Sequence, residues 1–213
     1  MKNEMKKGEN NLIKWARDLH SISKNGLLYT KNSYDHERYN KISNIASEMY
    51  ANISNYEPSM VKELFNTEIG YNTPKVESRG VVFKGNSMLF VRENDDGLWS
   101  IPGGMVDQNE TPRQAVEREV KEETGYHVKA EKLLALMDRD SHSHYPPHPF
   151  SVFKLFIRCK IIGGKARKSF ETDEIKFFKE DEIPELSISR ITEHQIKKMF
   201  EHLNNLTLPT DLD

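Results

Sequence analysis

The chain has 213 residues, with 31 Lys and Arg against 33 Asp and Glu, a formal net charge of −2 and one cysteine, Cys159. That length accommodates one catalytic domain and a smaller companion, the near-balanced charge argues against a dedicated nucleic-acid binder, and a lone cysteine excludes an intrachain disulfide and fits a reducing compartment. No apolar run approaches the roughly 20 residues needed to cross a bilayer, and the leading Met-Lys-Asn-Glu-Met-Lys-Lys lacks a signal-type apolar core, so a cytoplasmic protein with no membrane partner is expected.

Helical periodicity governs residues 10–67. Leu12, Ala16 and Leu19 recur with Trp15 and Ile22, then Tyr39, Ile42, Ala46, Met49 and Ile53, then Val61, Leu64 and Phe65. Asn25-Gly26 and Glu57-Pro58 punctuate three segments, and Ile69-Gly70-Tyr71-Asn72-Thr73-Pro74 reads as a linker. The expected organisation is a helical domain over residues 1–70 and a second domain over 74–205. A unit of roughly 70 residues makes a poor independent core, so a partner surface is expected on it.

Strand-like runs follow at 76–83, 88–91, 128–137, 152–162 and 175–178, and a final helix is capped by Thr192 with Gln195 and turns Ile196, Met199, Phe200 and Leu203 to one side. Mixed strands with helices indicate an α/β sandwich.

Between the second and third runs lies Leu98-Trp99-Ser100-Ile101-Pro102-Gly103-Gly104. The two glycines permit a tight turn that brings carbonyls close to an ion or phosphate. Thr111 is placed to cap a helix beginning at Pro112, and Gly125 to end it in the left-handed conformation. Within that helix Val116 and Val120 form an apolar stripe, while Glu119, Glu122 and Glu123 fall at i, i+3 and i+4 beside it. Three acids at the negative end of a helix dipole oppose stability, and a local rule broken this consistently marks a functional site. Hard Mg2+ or Mn2+ removes the conflict, because it prefers clustered carboxylate oxygens. An ordinary solvated charged face is the alternative for the acids taken alone.

Residues 104–126 fit G-x5-E-x7-R-E-U-x-E-E-x-G-U, with U a bulky apolar residue. Seven fixed identities (Gly104, Glu110, Arg118, Glu119, Glu122, Glu123 and Gly125) have a chance probability on the order of 10^-8 per start position. The pattern resembles the signature of the Nudix hydrolases, and Trp-x-x-Pro-Gly-Gly commonly precedes that signature. The resemblance implies a Nudix α/β/α sandwich with a mixed sheet, preceded here by a small all-α domain. It also implies metal ligation by the Gly103 or Gly104 carbonyl with Glu119, Glu122 and Glu123, two or more Mg2+ or Mn2+ ions per site, and Arg118 and Glu110 holding loop and helix in register.

Trp15, the Tyr-Asp-x-Glu-Arg-Tyr segment at 34–39 and the Gly-Tyr-x-Thr-Pro-Lys-Val junction resemble a bacterial subgroup of ADP-ribose and CDP-choline pyrophosphatases, whose helical domain helps to build a homodimer. The implied reaction is hydrolysis of the diphosphate of a nucleoside diphosphate linked to a group X. The ADP-ribose group typically has a proline about 16 residues beyond the signature; here Pro146 and Pro147 come 20 and 21 residues after Tyr126, which favours CDP-choline, cleaved to CMP and phosphocholine, over ADP-ribose.

Two further regions are candidates. The polar, proline-rich insertion at 139–149 has the length of a functional loop; with its flanks it offers Arg139, Tyr145 and Phe150 as substrate contacts, beside Trp99. A zinc reading of His142, His144 and His148 is set aside, because no cysteine is near and the spacing matches no standard site. Before the last strand, Glu171 is the first choice for a further catalytic acid and Glu174 the second. Any of Glu119, Glu122, Glu123 or Glu171 could be the general base. A basic strip of Lys154, Arg158, Lys160, Lys165, Arg167 and Lys168 leaves RNA processing as a rival reading, and a non-catalytic nucleotide sensor is another, although such sensors usually lose the signature acids.

Overall fold

The computed structural model describes residues 7–54, 56–67 and 70–213, with side chains from residue 11 onward. The leading residues 1–6 and Ile69 of the expected linker lie outside the described residues.

Contacts divide the chain into two units, residues 1–74 with 145–151, and residues 75–144 with 152–213. In the first unit, α1 (Lys7–Tyr29), α2 (Ser33–Ser54) and α3 (Pro58–Asn66) enclose a core of Ile13, Ala16, Ala46, Tyr50, Ala51, Val61 and Phe65. The expected break at Asn25-Gly26 does not occur. Helix α1 runs on through Gly26 to Tyr29, and Gly26 sits against the Tyr39 ring, where an added Cβ would lie 2.3 Å from the ring. The inward face of α1 is Ile13, Ala16, His20 and Ser23, with Leu19 packed against the core; of the expected stripe, Ala16 and Leu19 face inward while Leu12, Trp15 and Ile22 remain exposed, the last two more than half.

The second unit is a mixed sheet covered on both faces by helices. Its strands are β1 (Lys75–Lys84), β2 (Ser87–Glu93), β3 (Trp99–Ser100), β4 (Gly103–Met105), β5 (Tyr126–Asp138), β6 (Val152–Gly164), β7 (Thr172–Lys179) and β8 (Asp211–Leu212), in the order β3-β2-β1-β6-β5-β8, with β4 on β1 and β7 on β2. The β1–β6 and β5–β8 pairs are parallel, and the other pairs antiparallel. Alternation along β1 sends Val82 to one face, where it meets Val116 and Val120 of α4 (Pro112–Thr124), and Val81 to the other, where it meets Ile196, Met199 and Phe200 of α5 (Glu193–Asn204). Both helices begin in full capping boxes, Thr111 with Gln114 and Thr192 with Gln195, and Gly125 ends α4 at φ 74°. Among the described residues no helix is long and apolar enough to cross a membrane.

Candidate active site

The glycine pair and the acidic helix meet as the spacing requires. Gly103 (φ 147°) pairs with Arg79 of β1, so close that a Cβ there would lie 2.1 Å from the Ser78 carbonyl oxygen. Its N–H donates to a Glu123 carboxylate oxygen at 3.1 Å. Gly104 leaves the space that the Glu119 carboxylate fills, since a Cβ at Gly104 would lie 2.7 Å from Glu119 Oε1. Loop and helix are thus in contact through two carboxylates and two residues without side chains.

Arg118 does more than hold the register. Its guanidinium donates to Glu110 at 2.7 and 2.9 Å, to Glu119 at 2.8 Å, to Glu122 at 3.2 Å and to the Met105 carbonyl at 3.4 Å. These bonds hold Glu110 below, and Arg118 above, their ordinary protonation ranges. The acids therefore do not converge on one point, and among the described residues no three of His, Cys, Asp or Glu form a ready metal cage. Like charges repel, and a guanidinium with five donors draws three of the signature acids, Glu110, Glu119 and Glu122, towards itself.

Glu123 is the exception. Burial pushes its carboxyl up to about 8, Arg79 opposes the shift, and neighbouring Glu93 and Glu119 add to it. Burial likewise raises Glu119. In both acids burial outweighs the neighbouring guanidinium, and their oxygens are the hard donors that a divalent cation takes. The oxygen donors are of the kind a divalent cation takes, and Glu119, Glu122 and Glu123 are the residues that could hold one.

Glu171 is exposed, and the neighbouring Thr172 hydroxyl donates to the Glu123 backbone carbonyl at 2.7 Å, which fixes the start of β7 at the end of α4. Glu174, the second choice, is engaged with Lys176 at 2.7 Å and Arg92 at 3.4 Å. Trp99 stacks edge-on against Phe178 in the α5-side core, with the Lys176 ammonium 5.5 Å from its ring. Arg139 is buried in a 3-10 turn and donates to the Ser189 carbonyl at 3.3 Å. Tyr145 and Phe150 belong to the helical unit, where Phe150 packs against the core beside Phe65. The three histidines go separate ways: His142 to Asp213, His144 to the Ile188 carbonyl, His148 to the Phe150 backbone.

Sequence reasoning missed a buried cluster beside this site. Lys154 is fully buried, with Nζ 2.8 and 2.9 Å from the Glu77 carboxylate, so it is not part of an exposed basic strip. Glu77 also pairs with Arg79, whose Nη1 donates to the Ile101 carbonyl at 3.0 Å, just ahead of the glycines. Burial alone would raise Glu77, but the two cations bring it down to about 2. Alternating charges on strands read as a solvent face; only the sheet register, with Lys154 beside Glu77, shows the pair.

Residues 74–200 match the family model described as the NUDIX domain. The chain belongs to the Nudix hydrolases. Residues 10–65 match a second model, described as a UDP-X-like, N-terminal oligomerisation domain. The chain is 38% identical over 203 residues to YjhB of Bacillus subtilis (strain 168), provisionally named an ADP-ribose pyrophosphatase, with 94% of this chain and 97% of that one aligned. A solved UDP-X diphosphatase covers 96% of this chain and 99% of its own, at 27% identity and a TM-score of 0.62. An ADP-ribose pyrophosphatase from Streptococcus suis 89-1591 covers 66% of this Nudix chain and all of its own, at 35% identity and a TM-score of 0.60. Nudix hydrolases generally use divalent metal ions, in line with the donor set above.

Proposed function

We propose that this enzyme hydrolyses the diphosphate of a nucleoside diphosphate linked to X, in a divalent-metal-dependent reaction. The observation that carries this reading is the contact of Glu119 and Glu123 with the Gly103-Gly104 turn, because it brings buried acid oxygens and a close-approach backbone to one place. Bound there, Mg2+ or Mn2+ ions would neutralise phosphate oxygens and lower the pKa of a bound water. Arg118 holds Glu119 and Glu122 and supplies a positive group beside the developing phosphate charge. Glu171, beside the Thr172 that bonds the Glu123 backbone, is our first candidate to take the proton from the attacking water, with Glu119, Glu122 and Glu123 as the alternatives.

The names of two relatives favour ADP-ribose as the substrate, and that of the solved UDP-X diphosphatase keeps the nucleoside end open. CDP-choline is the second reading, favoured by the position of Pro146 and Pro147 relative to the signature. A panel of ADP-ribose, CDP-choline and UDP-sugars, each with Mg2+ and with Mn2+, tests both, with kcat/KM as the readout. Turnover of structured RNA above all of these would overturn the small-molecule assignment.

We also read the exposed Leu12, Trp15 and Ile22 stripe as the surface on which two copies pair as a homodimer. Three large apolar side chains along one helix are a cost in water unless covered.

A further inference from the structure

Glu171 is exposed, yet the turn that carries it is held from both sides within the catalytic unit. Its carbonyl accepts from the Asn94 backbone N–H at 2.8 Å, and the Phe170 carbonyl accepts from Asn94 Nδ2 at 2.7 Å. From within the turn, the Ser169 hydroxyl accepts from the N–H groups of Glu171 and Thr172, both at 3.1 Å. The flanks are fixed to the end of α4. The Arg167 N–H donates to the Thr124 carbonyl at 2.9 Å, and the buried Thr172 hydroxyl to the Glu123 carbonyl at 2.7 Å. With Thr172 bonded there and consecutive Cα atoms about 3.8 Å apart, the Glu171 Cα lies no more than about 11 Å from that of Glu123. Two glutamate side chains, each about 5 Å long, span that distance.

Strand β7 is irregular at the same place. Arg92 is opposite Glu174 and Glu93 opposite Thr172, so Asp173 is the extra residue of a β-bulge. Arg92 takes both oxygens of Asp173, with Nε at 2.7 Å and Nη2 at 2.6 Å. A bulge breaks the alternation of a strand and re-aims the residues beyond it, and a bidentate guanidinium pair fixes direction as well as distance. The two side chains are 35% and 41% exposed, where an ion pair contributes little to stability. A solvent-facing glutamate gains nothing from so firm a mount. A base that must meet one water beside a metal does gain, because a misplacement of about 1 Å costs on the order of 10^2-fold in rate.

We propose that Arg92, Asn94 and Asp173 are positioning residues for Glu171: the clamped bulge and the Asn94 bonds aim its carboxylate at the water that attacks the diphosphate. This rests on the diphosphate hydrolase reading above, with Glu171 as the base. Each of the three acts through Glu171 alone. Its loss therefore lowers kcat, leaves KM, and has no further effect once the Glu171 carboxylate is gone.

The test is a double-mutant cycle. Asn94→Ala and Asp173→Asn are made singly and in the Glu171→Gln background, and assayed in saturating Mn2+ with the best of ADP-ribose, CDP-choline and UDP-sugars. Glu171→Gln should lower kcat by about 10^2-fold. Asn94→Ala and Asp173→Asn should each lower it about tenfold, with KM and Mn2+ affinity by electron paramagnetic resonance within about twofold. In the Glu171→Gln background the same changes should cost less than about twofold. Arg92→Lys keeps the charge and loses the paired bonds, so it should match Asp173→Asn. Amide exchange across 169–172 should accelerate in all three. Equal losses in both backgrounds, wild-type kcat in the single variants or in Glu171→Gln, a change in KM alone, or unchanged exchange overturns the proposal. A wild type that cleaves none of the substrates sinks the hydrolase reading and this inference with it. Cleavage with an additive cycle sinks the inference alone.

Discussion

The N–H of Gly103 donates to the side chain of Glu123, twenty residues further along the chain, at 3.1 Å. This is the neutral donor nearest to hand for a buried acid whose neighbours include Glu93 and Glu119. One amide offsets little of the cost of burying a carboxylate, and the remainder is what makes the site receptive to a cation.

Replacing Glu122 or Glu123 by Gln keeps the shape and removes a charged donor. With metal saturating, kcat should fall by about 10^2-fold or more, while circular dichroism stays that of the wild type. Wild-type turnover in either variant would remove these residues from the metal site.

Metal-free stability should depend on Glu123. Its folded pKa of about 8 lies above the ordinary carboxyl value of 4.5, so between those two values the folded state holds a proton that the unfolded state has released. The stabilisation is fully present below about 4.5 and is lost as pH rises towards 8, on the order of 5 kcal/mol in all. Thermal melts in EDTA should fall in Tm across that window, and Glu123→Gln should flatten the slope. A wild-type Tm that rises from pH 5 to 8 would contradict the burial argument.

The two glycines should fail differently. A Cβ at Gly103 would meet backbone, the Ser78 carbonyl oxygen at 2.1 Å, whereas one at Gly104 would meet the end of the flexible Glu119 side chain. Gly103→Ala should therefore destabilise the fold by about 2 kcal/mol or more. Gly104→Ala should leave Tm nearly unchanged and lower kcat about tenfold by displacing Glu119. Equal effects of both on Tm would show that the Glu119 placement is not what Gly104 serves.

Much of this site was legible in the sequence. The acids at 119, 122 and 123 and the caps at Thr111 and Gly125 are local, fixed by helical spacing, and the structure places them accordingly. The five strand runs were found within a few residues of their ends, whereas β3, β4 and β8, of two or three residues each, carry no strand pattern of their own and were not. What stayed hidden depends on register between distant strands. Glu77 and Lys154 are 77 positions apart, and nothing in either neighbourhood signals burial. The phase of α1 was misread for a related reason. Ala16 and Leu19 of the expected stripe do face the core, but Leu12, Trp15 and Ile22 are exposed on the single chain, and Ile13, His20 and Ser23 face inward instead.

Trp15→Glu with Ile22→Glu places two charges on that exposed stripe without touching the helical core. Sedimentation should show the wild type as a dimer at micromolar concentration and the double variant as a monomer of nearly equal Tm. A wild-type monomer under those conditions would contradict the pairing surface.

The central claim is metal-dependent cleavage of a nucleoside diphosphate linkage, and product analysis tests it most directly. Wild-type enzyme and Glu122→Gln are incubated with ADP-ribose, CDP-choline and UDP-sugars in Mg2+, in Mn2+ and in EDTA, and the products are separated by ion-exchange chromatography. The account predicts a nucleoside monophosphate and phosphorylated X from at least one substrate, in the presence of metal only, and nearly none with Glu122→Gln. Cleavage that persists in EDTA, or equal cleavage by Glu122→Gln, would contradict it.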